Sequence, residues 1–182
     1  MKENSLNEVA SQVRDKLKEL FNLTEREINE AIPFVFNKLQ VYFKRVPDTK
    51  RVEKLCAPIV TSMLHVLIHE ISHAIVEDTI QGLNLNPEDK CFLYEVIARF
   101  IERRLSLELK EELQLKTVIV ESFEEQVNEL LRYSELRNLK IGVKEYEKMY
   151  KYFWREVERG KGMEELAKMI LAWRWDKKNP YA

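Results

Sequence analysis

The sequence predicts a mainly α, multi-helix globular domain, and three observations carry that expectation. Apolar residues recur at steps of three and four over most of the chain, the spacing that gathers them on one helix face. Three Ser/Thr-x-x-Glu boxes mark helix starts: Ser5 with Glu8, Thr24 with Glu27, and Ser122 with Glu125. In each, the two side chains satisfy orphan amides of a first turn. Only "TVIVE", 117–121, reads as a strand, and a short buried helix edge has the same pattern, so any β element near 117–121 is small. A length of 182 residues fits a single domain, 1–182, able to bury about 70% of its unfolded surface.

Taken in order, the elements are these. After Thr24, the residues Ile28, Ile32, Val35, Leu39 and Phe43 keep a helical step through "IPFVFNKLQVYF", with Pro33 as a kink. From about 50 to 80 the pattern is helical again, and Pro58 either kinks it or opens a shorter helix ending near Thr79, before Gly82 breaks it. Asn86 then stands at an N-cap, Pro87 at the first helical position, and Glu88 and Asp89 in the first turn of a helix running to about Leu115. Further on, Tyr146, Met149, Tyr150, Phe153 and Val157 line one helix face, and beyond Gly160 and Gly162 another is formed by Leu166, Met169, Ile170 and Trp173. Segments 1–47 and 122–182 are thus helical flanks to 58–105, with no repeat, low-complexity tract or linker.

Charge is abundant but balanced: 30 Lys and Arg against 31 Asp and Glu leave a net charge of -1, so no field draws nucleic acid or an anionic membrane. The first ten residues lack an apolar signal-peptide region, and the weakly polar run 56–68 is too short and too broken by Pro58, Thr61, Ser62 and His65 to span a bilayer. A soluble cytoplasmic protein is the expectation. Cys56 and Cys91 lack the spacing of a zinc or redox motif and read as small buried hydrophobes. Dense charge of both signs with four glycines is a thermophile-like composition.

All three histidines fall within nine positions, His65, His69 and His73, and the last two sit in "VLIHEISHAI". Histidines at i and i+4 project from the same side of a helix, close enough to grip one ion. Glu70, between them, can take a proton from a water polarised by that ion and pass it to a leaving amine. The His65 and His69 pair has the same spacing but brackets no glutamate, which leaves His65 as a cleft wall or core residue. An all-structural reading, with the histidines satisfied inside a helical core, stands beside the metal reading.

This HExxH stretch resembles the extended signature of zincin metallopeptidases. Val66 stands at the favoured upstream position, Leu67, Ile71, Ser72 and Ala74 are uncharged, Ile75 closes it, and no proline interrupts. A metzincin would carry glycine at 76 and histidine at 79, where this chain has Val76 and Thr79. Glu77 lies eight residues from His69, about 12 Å along a helix axis, too far to share its ion. On the next helix, Glu95-Val96-Ile97-Ala98, starting 22 residues after His73, resembles the downstream E-x-x-A of gluzincins. The resemblance implies a zinc metallopeptidase acting on peptide or protein, with Zn2+ on His69, His73 and Glu95 and with Glu70 as general base. Glu95, Arg99 and Glu102 also form a narrow polar stripe on an otherwise apolar helix, so Glu95 is either a ligand or the i+4 partner of Arg99, with Glu102 the reserve ligand. Two departures stand out: 1–57 reads helical where gluzincins carry a β-sheet, and no histidine outside the helix is left to steady an oxyanion, a task open to Arg99, Tyr94 or another tyrosine.

Other readings compete. Glu70 with His73 is an E-x-x-H pair, but a di-iron bundle needs a second such pair on another helix, and no histidine remains for it. A non-catalytic interaction or regulatory protein, using the C-terminal helices with Trp154, Trp173 and Trp175, is the alternative function.

Overall fold

A computed structural model describes residues 24–56 and 63–175. They are mainly α, with seven α-helices: α1 (Ile32–Phe43), α2 (Thr49–Cys56), α3 (Leu64–Gly82), α4 (Pro87–Glu112), α5 (Phe123–Leu130), α6 (Val143–Glu158) and α7 (Met163–Trp175). A π-turn, Glu27–Ala31, leads into α1, and a single 3-10 turn, Ser134–Leu136, follows α5. None of the described helices is long and apolar enough to cross a membrane.

Local chemistry explains most of the boundaries. The Thr24 amide donates to Glu27 Oε2 at 2.8 Å and the Glu27 amide to Thr24 Oγ1 at 3.2 Å, closing the predicted box. Pro33 stands in the first turn of α1, directly after the π-turn Glu27–Ala31. Proline has no N–H for the carbonyl four residues back and its ring crowds that carbonyl, and a wider turn relieves both conflicts. Helix α1 stops at Lys44, which adopts the left-handed conformation (φ 55°) while its amide still reaches Gln40 O. Asn86 Oδ1 accepts the Asp89 amide at 2.8 Å and starts α4 at Pro87, as predicted. Ser122 and Glu125 form the full reciprocal box at the start of α5. The Ser5–Glu8 box and Pro58 lie outside the described residues.

The strand reading of 117–121 is corrected. Residues 116 and 117 form a turn and 118–122 have no regular structure; Val118 is buried while Ile119 is exposed. A β-branched apolar run becomes a strand only by pairing with a second one, and among the described residues no strand is formed.

The chain divides into two compact units, and α3 and α4 each contribute to both. The first takes the described residues of 24–75 and 101–120. Its buried apolar residues include Ile28, Ile32, Val35 and Leu39, the face predicted for α1, with Leu67, Ile68, Ile71, Ile101, Leu105 and Leu109. Polar links tie its early segment to the end of α4. Arg26 Nη2 donates to Leu113 O at 2.7 Å, Thr117 Oγ1 to Glu27 Oε1 at 2.7 Å, and Glu108 accepts from Tyr42 and Arg104.

The second unit takes 76–100 and the described residues of 121–175. Phe100 is its aromatic centre, with ring centroids of Tyr146, Tyr150 and Phe153 at 5.1, 5.4 and 5.5 Å, while Trp154 Nε1 donates to the Phe100 carbonyl at 3.2 Å. Burying Phe100 and Phe153 stabilises this unit by about 1.5–3 kcal/mol each. Arg174 of α7 pairs with Glu88 and Asp89 in the first turn of α4 and lies over the Phe92 ring at 4.9 Å.

Candidate metal centre

Helix α3 carries the histidines in its first half, within the first unit. Because i and i+4 differ by about 40° around a helix, His65, His69 and His73 form one slowly turning stripe. All three are inside: relative exposures are 7%, 9% and 3%. Ile68 and Ile71 are fully buried beside the stripe, and Ser72, also buried, donates its hydroxyl to the Ile68 carbonyl at 2.7 Å. The helix therefore presents imidazoles inward by its apolar pattern, with the serine satisfied by its own backbone.

The rings of His69 and His73 meet edge to face, with centroids 4.4 Å apart and planes at 83°. Glu70, half-buried, completes a group in which one potential ligand atom each from His69, Glu70 and His73 lies within 4.8 Å of the others. Two imidazole nitrogens with a carboxylate suit zinc and other borderline divalent cations, whose bonds to such donors are about 2.0–2.2 Å. Donor atoms sharing one such ion at these bond lengths stand about 3–3.5 Å apart, so a group whose atoms lie within 4.8 Å of one another could hold a metal.

Glu102 of α4 also belongs to the first unit and is 3% exposed. Its Oε2 lies 3.1 Å from His69 Nδ1, and it stands outside the converging three. Its charge also acts on His65. Burial holds the His65 imidazole below its ordinary pKa, the Glu102 carboxylate opposes that, and His69 adds to it.

Glu95 and Arg99 belong to the second unit, and both are buried. Arg99 Nη2 is 3.8 Å from Glu95 Oε2 and Nη1 is 3.6 Å from Glu121 Oε2, so the i+4 pairing read from the sequence is present. Tyr133 joins this cluster. Burial, the Glu95 charge and a hydrogen bond to Glu95 hold its phenol protonated far above the ordinary tyrosine range. Sequence reading missed Glu121 and Tyr133, which arrive from beyond α4 with no local pattern to announce them. On the same helix Tyr94 is half-buried, and the Cys91 thiol is pushed up to about 11, chiefly by burial and then by Glu95. Cys91 carries a free thiol, and the Cys56 side chain lies outside the described residues.

Comparison of the chain with known protein families, curated proteins and solved structures finds no match among them.

Proposed function

We propose that the protein is a gluzincin-like zinc metallopeptidase that hydrolyses peptide bonds in a peptide or protein substrate. The observation that carries this reading is the convergence of His69, Glu70 and His73 within 4.8 Å on the buried side of one helix. His69 and His73 hold the ion through imidazole nitrogens. The third protein ligand comes from the sequence resemblance, which assigns it to Glu95. Zinc, when bound, polarises the scissile carbonyl and acidifies water.

The chain's own chemistry is then proton handling. Glu70 takes a proton from the attacking water at a carboxylate oxygen as the water oxygen bonds to the carbonyl carbon. It delivers that proton to the amine nitrogen as the C–N bond breaks. Its half-buried position suits both halves of the cycle: near the metal-ligand atoms, yet reachable by substrate. The reading is of a cytoplasmic enzyme with no nucleic-acid or membrane partner, consistent with balanced charge.

Metal analysis of protein purified without chelator tests it. About one zinc per chain is expected, with most of it lost in His73→Ala. Folded protein that stays metal-free after zinc addition rejects the reading, and metal-bearing protein that cleaves no peptide while binding a protein partner supports an interaction protein instead.

A further inference from the structure

We infer that Glu102 is a positioning residue for the metal centre: it accepts a hydrogen bond from Nδ1–H of His69 and so fixes the tautomer in which Nε2 of His69 is unprotonated, the form that can ligate a cation. The inference rests on the metal reading above and adds which nitrogen of which histidine the fold prepares.

The argument starts from donor and acceptor chemistry. Glu102 Oε2 lies 3.1 Å from His69 Nδ1, inside the first unit, with both side chains buried. An ionised carboxylate has no proton to donate, so the contact is a hydrogen bond only when Nδ1 carries one. The two ring nitrogens of a neutral imidazole cannot both hold protons, so Nε2 is then a bare lone pair on the far side of the ring. Free neutral imidazole side chains in water favour the opposite tautomer, with the proton on Nε2, which cannot ligate through that atom. Glu102 therefore reverses an intrinsic preference.

Position separates this role from ligation. The donor atoms that converge come from the two histidines and from the Glu70 base between them, and Glu102 stands outside that group, on the Nδ1 side of His69. The carboxylate is also held where its charge reaches the His65 ring one turn earlier on α3. An outer carboxylate on a ligand histidine both orients the ring and raises its basicity, and removing such a partner typically weakens metal affinity about 10–100-fold.

The test uses the full chain, Glu102→Ala, Glu102→Gln, and zinc as the probe. With only three histidines, each imidazole can be resolved by 15N-correlated NMR of metal-free protein at a pH where the rings are neutral. The wild type is expected to show His69 protonated on Nδ1. Glu102→Ala should move His69 towards the Nε2–H form and weaken zinc binding by about 10–100-fold. Glu102→Gln, whose amide oxygen still accepts from Nδ1–H, should keep the wild-type tautomer and most of the affinity.

Wild-type His69 protonated on Nε2 overturns the proposal, as does a Glu102→Ala variant that binds zinc like the wild type. A Glu102→Gln variant that loses as much zinc as His69→Ala overturns it in favour of direct ligation. Wild type that binds no zinc defeats the metal reading itself, and the metal-free tautomer distinguishes that outcome from failure of the hydrogen bond.

Discussion

Arg99 stands one helical turn beyond Glu95 with its guanidinium 3.8 Å from the Glu95 carboxylate, and Glu121 lies 3.6 Å from its other arm. A buried arginine between two carboxylates is stable only while the negative charge remains. Glu95→Gln is therefore expected to cost about 1–3 kcal/mol in the metal-free protein, read as a lower denaturant midpoint at unchanged slope. If Glu95 is also the third ligand, the same variant loses far more zinc affinity than Glu102→Gln, because a neutral amide is a poor substitute for an anionic ligand oxygen. Equal or reversed affinity losses move the third ligand away from Glu95.

His65 sets a pH dependence whose sign follows from its environment. Burial is the largest influence and lowers its folded-state pKa below the ordinary 6.5. Between the lowered value and 6.5 the unfolded chain binds a proton that the folded chain rejects, so stability rises with pH through that window and is lost as pH falls below 6.5. Denaturant titrations of metal-free protein should show the slope, and His65→Gln should flatten it while zinc stays at one per chain. A slope untouched by the substitution assigns the titration elsewhere. Loss of zinc in His65→Gln makes His65 and His69 the ligand pair.

What was legible in the sequence was what is decided within about four residues. The boxes at Thr24 and Ser122 and the Asn86 cap each close over three residues, so residue identity alone announces them. The inward face of α3 was legible for the same reason, since helical spacing puts His69 and His73 together whatever surrounds them. Glu145 accepting from the Gly142 amide at 2.9 Å is half of the same box, yet it was invisible because glycine supplies no side chain to complete the pattern. Pairings across long separations left no local trace. Glu102 meets His69 from 33 positions away, and Glu121 meets Arg99 across a long separation as well. "TVIVE" failed for the converse reason: its β-branched apolar run is local, but a strand is a property of two segments.

The Asn86 cap separates stability from site chemistry. Its Oδ1 satisfies the Asp89 amide in the first turn of α4, and Asn86→Ala should cost about 0.5–2 kcal/mol, read by chemical denaturation. Glu95 and Glu102 lie further along that helix, beyond the turn the cap serves. Zinc stoichiometry should therefore stay at the wild-type value well below the denaturation midpoint. If Asn86→Ala loses metal while folded, affinity changes in the Glu95 and Glu102 variants report general loosening of α4 and not ligand chemistry.

Glu70 gives the sharpest test of mechanism because metal binding and proton transfer part company there. Its backbone position lies about 100° around α3 from His69, so its carboxylate reaches the converging group from the side and not along the histidine stripe. Glutamine keeps size, shape and hydrogen-bonding capacity but cannot accept a proton at neutral pH. Glu70→Gln is therefore expected to retain zinc and thermal stability while peptide hydrolysis falls about a hundredfold or more, the scale for removing a positioned general base. The assay is a broad peptide library with zinc-loaded wild type alongside, cleavage being read by mass. Equal cleavage by Glu70→Gln and wild type defeats the proton-transfer assignment, and loss of zinc in the variant makes Glu70 a ligand, since a base that only touches water has no reason to hold the ion.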